Sequence, residues 1–359
     1  MSAITALANT LVVATASRSA DQIDDAAHER FPRVDYIELG ERIGADVLDY
    51  GVYPNGRRGR ALRWMETQLR SDPYLAWHAL RRAPRYARML CMSERVAIPL
   101  AALRRAGVYR GGLAVLFQAW SHRQEVVVTR LNLFSAIDWI GVNCTAMRDL
   151  FIAHGAAPER VQLMRWAIDH TFFTPLPHGG NGTFALSLGE VRGRDYACLF
   201  EAVDGLPIEL RVLPSGYVGA REKQRAAFAQ TPANVRILQR VSTAQLRDLY
   251  AQSRFVVLPV PDVIYPAGVT AALEAMCMAR AVIATRSRGL SDYLVDGETC
   301  LLVEPGDREG MRAAVGRLVG DPALARRLGE NGRARVERAL NQRAYVDQLA
   351  ALVRDWATQ

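Results

Sequence analysis

Residues 255–307 read FVVLPVPDVIYPAGVTAALEAMCMARAVIATRSRGLSDYLVDGETCLLVEPGD. FVVLPV, at 255–260, is a continuous apolar run of the kind that fills a parallel strand buried on both faces. Pro259, Pro261 and Pro266 then forbid further ladder pairing, because a proline nitrogen has no hydrogen to donate. Gly268 opens a helix whose apolar positions Val269, Ala272, Leu273 and Met276 follow the i, i+3, i+4, i+7 spacing, and AVIAT, at 281–285, is the next strand. A helix that starts at a sheet's carboxyl edge presents unpaired N–H groups and the positive end of its dipole, which together make an anion seat. Glu274 lies seven positions after Ala267, about two helical turns, and so stands above the loop on the same side. A carboxylate there suits the hydroxyls of whatever carries the phosphates; the plainer account is a solvated charge on an amphipathic helix.

The rest of the chain repeats this alternation. TLVVATA, YIEL, ADVLDY, ARMLCMS, LAVLFQ, DWIGVN and VQLM in the first half, and FALSLG, IELRVLP, VRILQRV, FVVLPV and AVIAT in the second, read as strands separated by helical patterns. That order implies βαβ units and parallel sheets. Ser242 with Gln245 forms a capping box, Asp307 and Asp321 cap two later helices, and Pro322 sits at a first helical position. Pro and Gly density in TPLPHGGNG, residues 174–182, marks a hinge. The reading is therefore two Rossmann-like domains facing across a cleft: 1–174, 175–340, and a C-terminal helix over 341–359 that packs back towards the first domain.

With 359 residues, half of them apolar, the chain has material for two cores. No apolar stretch reaches membrane-spanning length, and the first residues lack a basic leader region, so the expectation is a cytoplasmic protein. Five widely spaced cysteines in apolar segments suggest reduced core thiols, and no Cys/His cluster suggests a metal. Of 45 basic residues only Lys223 is lysine. From Arg57 to Arg110 the local balance is +10, against +8 for the whole chain.

LEAMCMARAVIATRSRGLSDYLVDGETCLLVEPGD resembles the donor-binding region of retaining glycosyltransferases of family 4, which have the GT-B fold. AIDHTFFTP is similar to the segment that ends the first domain of such enzymes, SLGEVRGRDYACLFEAV to the first strand and helix of the second, and VRILQRVSTAQLRDLYAQS to the strand and helix before the donor loop. The likeness covers about residues 110–355. It implies that Glu274 binds the donor ribose, that backbone amides of Gly268, Val269 and Thr270 hold the diphosphate, and that Arg194, with Arg192 beside it, neutralises the phosphates. Arg240 and Val241 would seat the base. Two positions depart from the family: Pro266 stands where the first Glu of a pair is usual, and Glu190 where an Arg is usual. Asp262 and Tyr265 in the same loop are candidates to contact the sugar instead. In the first domain SRSAD replaces the usual Gly-rich loop. His122 is the candidate for a cleft histidine against the sugar, with a surface loop histidine as the plainer account, and Ser93 and Glu94, at another strand terminus facing the cleft, are candidates on the acceptor side.

The resemblance implies transfer of a hexosyl group from a nucleotide-diphosphate sugar, with retention and without metal or other cofactor. Charge on the leaving diphosphate would be stabilised by the helix amides and Arg194. Acceptors open to such an enzyme include a glycan, a lipid-linked glycan or a small metabolite. The basic segment 57–110 mixes Arg with Leu, Trp, Met and Tyr, which suits an anionic membrane surface as well as a solvated helical face. Nucleic acid fits poorly, for want of spaced aromatic platforms. Pro266 and Glu190 keep open a non-catalytic nucleotide-sugar-binding protein, and the architecture also allows a nucleotide-sugar epimerase.

Overall fold

The apolar runs become short parallel strands, and their order in space sets where a ligand can bind. The computed structural model describes residues 9–17, 19–176, 182–215, 226 and 228–358. The chain divides into two compact units: one of Met1–Ala27, Arg33–Arg165 and Arg343–Gln359, the other of His28–Pro32 and Trp166–Gln342.

In the first unit, β1 (Thr10–Val13), β2 (Asp46–Leu48), β3 (Arg88–Cys91), β4 (Gly112–Phe117), β5 (Trp139–Val142) and β6 (Val161–Leu163) form one sheet in the order β2-β1-β3-β4-β5-β6. Every pairing is parallel. The second unit repeats the plan with β7 (Phe184–Glu190), β8 (Glu209–Ser215), β9 (Val235–Ile237), β10 (Ser253–Leu258), β11 (Ala281–Thr285) and β12 (Cys300–Val303), ordered β12-β11-β10-β7-β8-β9 and again all parallel. β7 runs outward to β8 and β9 on one side, whereas β10 runs to β11 and β12 on the other. The carboxyl ends of β7 and β10 therefore flank the point where the strand order reverses, the place at which open α/β sheets leave a crevice.

The helices form where the caps expect them. Gln245 N donates to Ser242 Oγ (3.2 Å) and Ser242 N to Gln245 Oε1 (2.8 Å), completing the capping box of Thr243–Gln252. Asp307 accepts from Gly310 N and Asp321 from Leu324 N, the latter with Pro322 in the first turn. In the second unit Leu199, Val212, Val257, Ile283, Val315 and Leu328 meet in one buried cluster. Each such side chain contributes about 1.5–3 kcal/mol by leaving water. All five cysteines are buried, and none forms a disulfide. None of the described helices is long and apolar enough to cross a membrane.

Three expectations differ from the structure. YIEL is not a strand but part of the helix Asp35–Ile43, whose buried Tyr36, Leu39 and Ile43 recur at helical spacing and which Gly44 ends at φ 65°; four residues are too few to separate the two periods. CLLV, not expected as a separate element, is β12. AIDHTFFTP packs with the second unit, because Ile168 bridges to Asn341 and Arg333 Nη1 donates to the carbonyls of His170, Phe173 and Cys277. Residues 177–181 of the expected hinge lie outside the described residues. The helix Gln342–Thr358, apart from its first residue, belongs to the first unit.

Candidate functional site

Arg194 and Gly268 meet at the switch point of the second sheet. The chain leaves β7 through Gly189, at φ 129°, and a short turn returns Arg194 beneath it. Arg194 is only 7% exposed, and donates from Nε to Leu188 O (3.0 Å) and from Nη1 to Gly193 O (2.9 Å). A Cβ on Gly189 would lie 2.4 Å from Arg194 Nη2, so a residue without a side chain is needed for the guanidinium to lie there. Its outer nitrogen reaches Gly268, where an added Cβ would be 3.1 Å away.

Gly268, at φ 83°, is the N-cap of the helix Val269–Cys277 and brings no capping side chain. Val269 N donates to Pro266 O (3.1 Å), so that amide, expected among the phosphate ligands, already has an acceptor. The amides of Thr270 and Ala271 have no intrahelical acceptor, as in any first turn. A helix's positive end and a guanidinium thus converge. Burial lowers the Arg194 pKa, although an arginine remains charged at neutral pH. Two positive elements at one spot favour an anion with several acceptor oxygens.

Glu274 lies two turns along the same helix and is 8% exposed. Its Oε2 accepts from the Tyr250 hydroxyl at 2.7 Å. Burial pushes the Glu274 carboxyl up to about 7, and the bond from Tyr250 opposes that rise. Tyr250, itself fully buried, brings the end of the helix Thr243–Gln252 against Glu274. Nothing in the spacing of LRDLYAQS announces this partner, because the contact spans 24 residues.

The remaining candidates sort by position. Arg192 is exposed beside Arg194, and both line a cleft of about 440 Å³ bounded by Pro259–Asp262, Thr285 and Glu304–Asp307. Asp262 accepts from Arg288 N (3.0 Å) and pairs with its side chain (3.2 Å), so it clasps the loop after β10 to the turn after β11. Tyr265 is half-buried, and its carbonyl lies so close to Gly289 that a Cβ there would be 2.0 Å away. Arg240 is exposed and Val241 half-buried in the turn after β9.

In the first unit, Ser93 caps the helix Glu94–Arg105 by accepting from Arg95 N. Glu94 is buried and accepts from Gln118 N (3.0 Å), and the amide of Ala119 also binds it. Ser93 thereby starts the helix after β3, and Glu94 ties that start to the chain leaving β4. His122 is exposed at the first position of the helix His122–Arg130, behind the cap Ser121.

Residues 199–321 match the family model described as Glycosyl transferases group 1. An MMP alpha-(1->4)-mannosyltransferase of Mycolicibacterium hassiacum is 24% identical over 217 residues, 59% of this chain and 52% of that protein. An alpha-maltose-1-phosphate synthase of Mycobacterium tuberculosis is 38% identical over 105 residues, 28% of this chain and 26% of that one. The chain thus spans about half the length, or less, of these curated relatives. Among solved structures, sucrose-phosphate synthase from Thermosynechococcus elongatus superposes with TM-score 0.74 at 17% identity, covering 98% of this chain and 100% of that one. The Anabaena protein HepE, in complex with UDP-glucose, superposes with TM-score 0.70 at 14% identity, covering 96% and 99%. The fold is the two-domain α/β GT-B fold, and its second domain carries the glycosyl transferases group 1 match.

Proposed function

We propose that the protein is a retaining glycosyltransferase that moves a hexosyl group from a nucleotide-diphosphate sugar to an acceptor without a metal ion or other cofactor. The observation that carries this reading is the meeting of Arg194 with the amino end of the helix Val269–Cys277, with Glu274 two turns along. In that arrangement the diphosphate lies on the amides of Thr270 and Ala271 and on Arg194, and the Glu274 carboxylate accepts from the ribose hydroxyls. The bond that breaks joins the sugar to a diphosphate whose negative charge grows as it leaves. Fixed positive dipoles stabilise that charge selectively in the transition state. The leaving phosphate takes the acceptor's proton, which makes a dedicated base unnecessary and the proline at 266 tolerable. UDP-glucose in the Anabaena structure, and the mannosyl and maltosyl names of the relatives, support a hexosyl nucleotide as donor.

A binding and hydrolysis screen of the whole chain against UDP-, GDP- and ADP-hexoses, with and without EDTA, tests the reading. Release of nucleotide that EDTA leaves unchanged is expected. Binding without any turnover would favour the non-catalytic alternative, which Pro266 and Glu190 support, and no binding would remove both.

Acceptors of this reading are a glycan, a lipid-linked glycan or a small metabolite, met in the cytoplasm. The helix Arg57–Leu69 favours an acceptor at an anionic bilayer. It buries Gly59 and Glu66 alone, while Trp64, 67% exposed, points away from them between Arg57 and Arg60. Arg81 stacks on the exposed Trp77 of the next helix. Each arginine near such a surface adds about 1 kcal/mol and the indoles insert at headgroup depth. Flotation with phosphatidylglycerol vesicles at low salt is expected, and its loss in Trp64→Ala; an unbound wild-type chain would leave only a solvated face.

A further inference from the structure

A groove of about 840 Å³ opens at the amino-terminal edge of the first sheet, beside the last helix, Gln342–Thr358, and every residue lining it belongs to the first unit. The donor site is built at the carboxyl edge of the other sheet, so the groove is no part of it. Its floor is made by the starts of β3, β4 and β5, and its wall by Leu352 and Trp356 of the helix. The Trp356 ring lies 5.4 Å from the Arg88 guanidinium, and a Cβ on Gly112 would come within 2.8 Å of Trp356 Cζ2. The glycine at the head of β4 thus leaves room for the edge of the indole beside the strand. Trp139 is 5% exposed, and its indole N–H is buried with no acceptor among the described residues. The rim carries planar polar side chains: Glu159, Arg160, Gln162, Gln348 and Asp355.

Charge decides what such a groove can hold. Asp138, which also lines it, is already committed to Arg104 (2.8 Å) and to Leu113 N (2.9 Å). Arg88 and Arg160 then stand against Glu159 and Asp355, and the lining is close to neutral. A phosphate would need a surplus of positive charge, and an acyl chain would need walls without carboxylates. A neutral saccharide satisfies both kinds of wall. Its C–H face lies on an indole, and its hydroxyls exchange hydrogen bonds with flat carboxylate, amide and guanidinium groups.

We propose that this groove is a second, non-catalytic carbohydrate site that binds a neutral oligosaccharide segment, with Trp356 as its platform. The proposal does not depend on the donor site, and the test separates the two. Saturation-transfer NMR and titration calorimetry on the full chain use maltotriose, mannotriose, galactobiose, inorganic phosphate and UDP. At least one saccharide is expected to bind, with affinity at least tenfold weaker in Trp356→Ala and threefold weaker in Gln348→Ala, while UDP binding is unchanged in both. Glu274→Ala is expected to weaken UDP and leave the saccharide untouched. Should Trp356→Ala fail to fold, Trp356→Phe and Gln348→Ala carry the comparison. The proposal is overturned if no saccharide of the panel binds, if binding survives both helix variants, if it disappears in Glu274→Ala, or if phosphate displaces the sugar.

Discussion

The Tyr250 hydroxyl donates to Glu274 Oε2 over 2.7 Å, with both side chains buried, and so holds a carboxylate that burial alone would leave protonated at neutral pH. In Tyr250→Phe the carboxyl loses the bond that opposes its upward shift, and titrates higher still. A ribose is bound best by the ionised form, which accepts from two hydroxyls at once. The variant should bind the nucleotide of the donor more weakly at pH 7, by about 1–3 kcal/mol, the cost of leaving a buried polar group unmatched. It should recover part of that loss at pH 8.5, read by calorimetry. An affinity equal to wild type at every pH would separate Tyr250 from the site.

Glu274 also ties stability to pH. Its carboxyl in the fold stands at about 7, above the ordinary value of 4.5 that the unfolded chain shows. Between those values the folded form holds one more proton than the unfolded form. Stability from this group is therefore complete below pH 4.5 and is lost as pH rises to 7, at up to about 1.4 kcal/mol per pH unit, and the curve is flat above. Glu274→Gln, which cannot ionise, should lack that slope. Urea midpoints of the two proteins at pH 5, 6, 7 and 8 give the comparison, and parallel curves would contradict the buried titration.

How much of this was readable beforehand follows from the range of each interaction. The alternation of strands and helices and the helix start at Gly268 come from local signals, namely proline breaks, a run buried on both faces, and apolar spacing over eight residues, whereas the order of the strands in each sheet depends on long-range pairing. The caps at Ser242, Asp307 and Asp321 are equally local. YIEL misleads because its neighbours, not its four residues, decide the period. Tyr250 and Gly189 are invisible in the sequence, since each matters through a partner brought near only by the folded sheet: Glu274 for one, and the Arg194 fork for the other. Ser93 and Glu94 were legible as a strand terminus but not as caps and loop anchors, which depend on where Gln118 lies.

Arg194→Lys keeps the charge and loses the fork that grips the Leu188 and Gly193 carbonyls. An ammonium cannot make those bonds and also face the diphosphate. Turnover should fall by about 100-fold, the usual loss when one donor to a developing anion is removed, with a smaller change in KM. Arg192→Ala, at an exposed position, should fall several-fold at most. Equal effects of the two variants in steady-state assays would remove Arg194 from its role.

Gly268→Ala tests the helix start. At φ 83° an L-residue is strained, and the new methyl would sit 3.1 Å from both Arg194 Nη2 and Val260 Cγ1. We expect a stability loss of about 1–2 kcal/mol together with a fall in turnover, because the guanidinium must move. Gly297→Ala, at φ 72° with open space around it, is the control: strain without displacement of Arg194. Loss of stability in both but of activity in Gly268→Ala alone is the expected pattern, and activity lost equally in both would refer the effect to strain.

Asp72 decides whether the arginine-rich helix is held in place. It is 1% exposed, accepts from Arg95 Nε (2.9 Å) and Nη2 (2.6 Å), and receives the Tyr50 hydroxyl at 2.9 Å. Glu66, buried on the helix itself, is held by the Tyr53 hydroxyl (2.7 Å) and Tyr74 N (2.8 Å). Asp72 is buried but Arg95 keeps about a quarter of its side chain in water, so Asp72→Ala, which strips a half-buried guanidinium of its acceptor, should destabilise the unit by about 1.5–3 kcal/mol. The double variant Asp72→Ala with Arg95→Ala should lose less than the two single losses together, since the stranded charge is gone as well. Trp64→Ala, on the outer side of the same helix, should stay within about 0.5 kcal/mol of wild type while abolishing flotation. Urea unfolding and vesicle flotation on the same four proteins separate these effects. A Trp64→Ala chain that unfolds early would mean that the indole packs inward, and the membrane reading would lose its anchor.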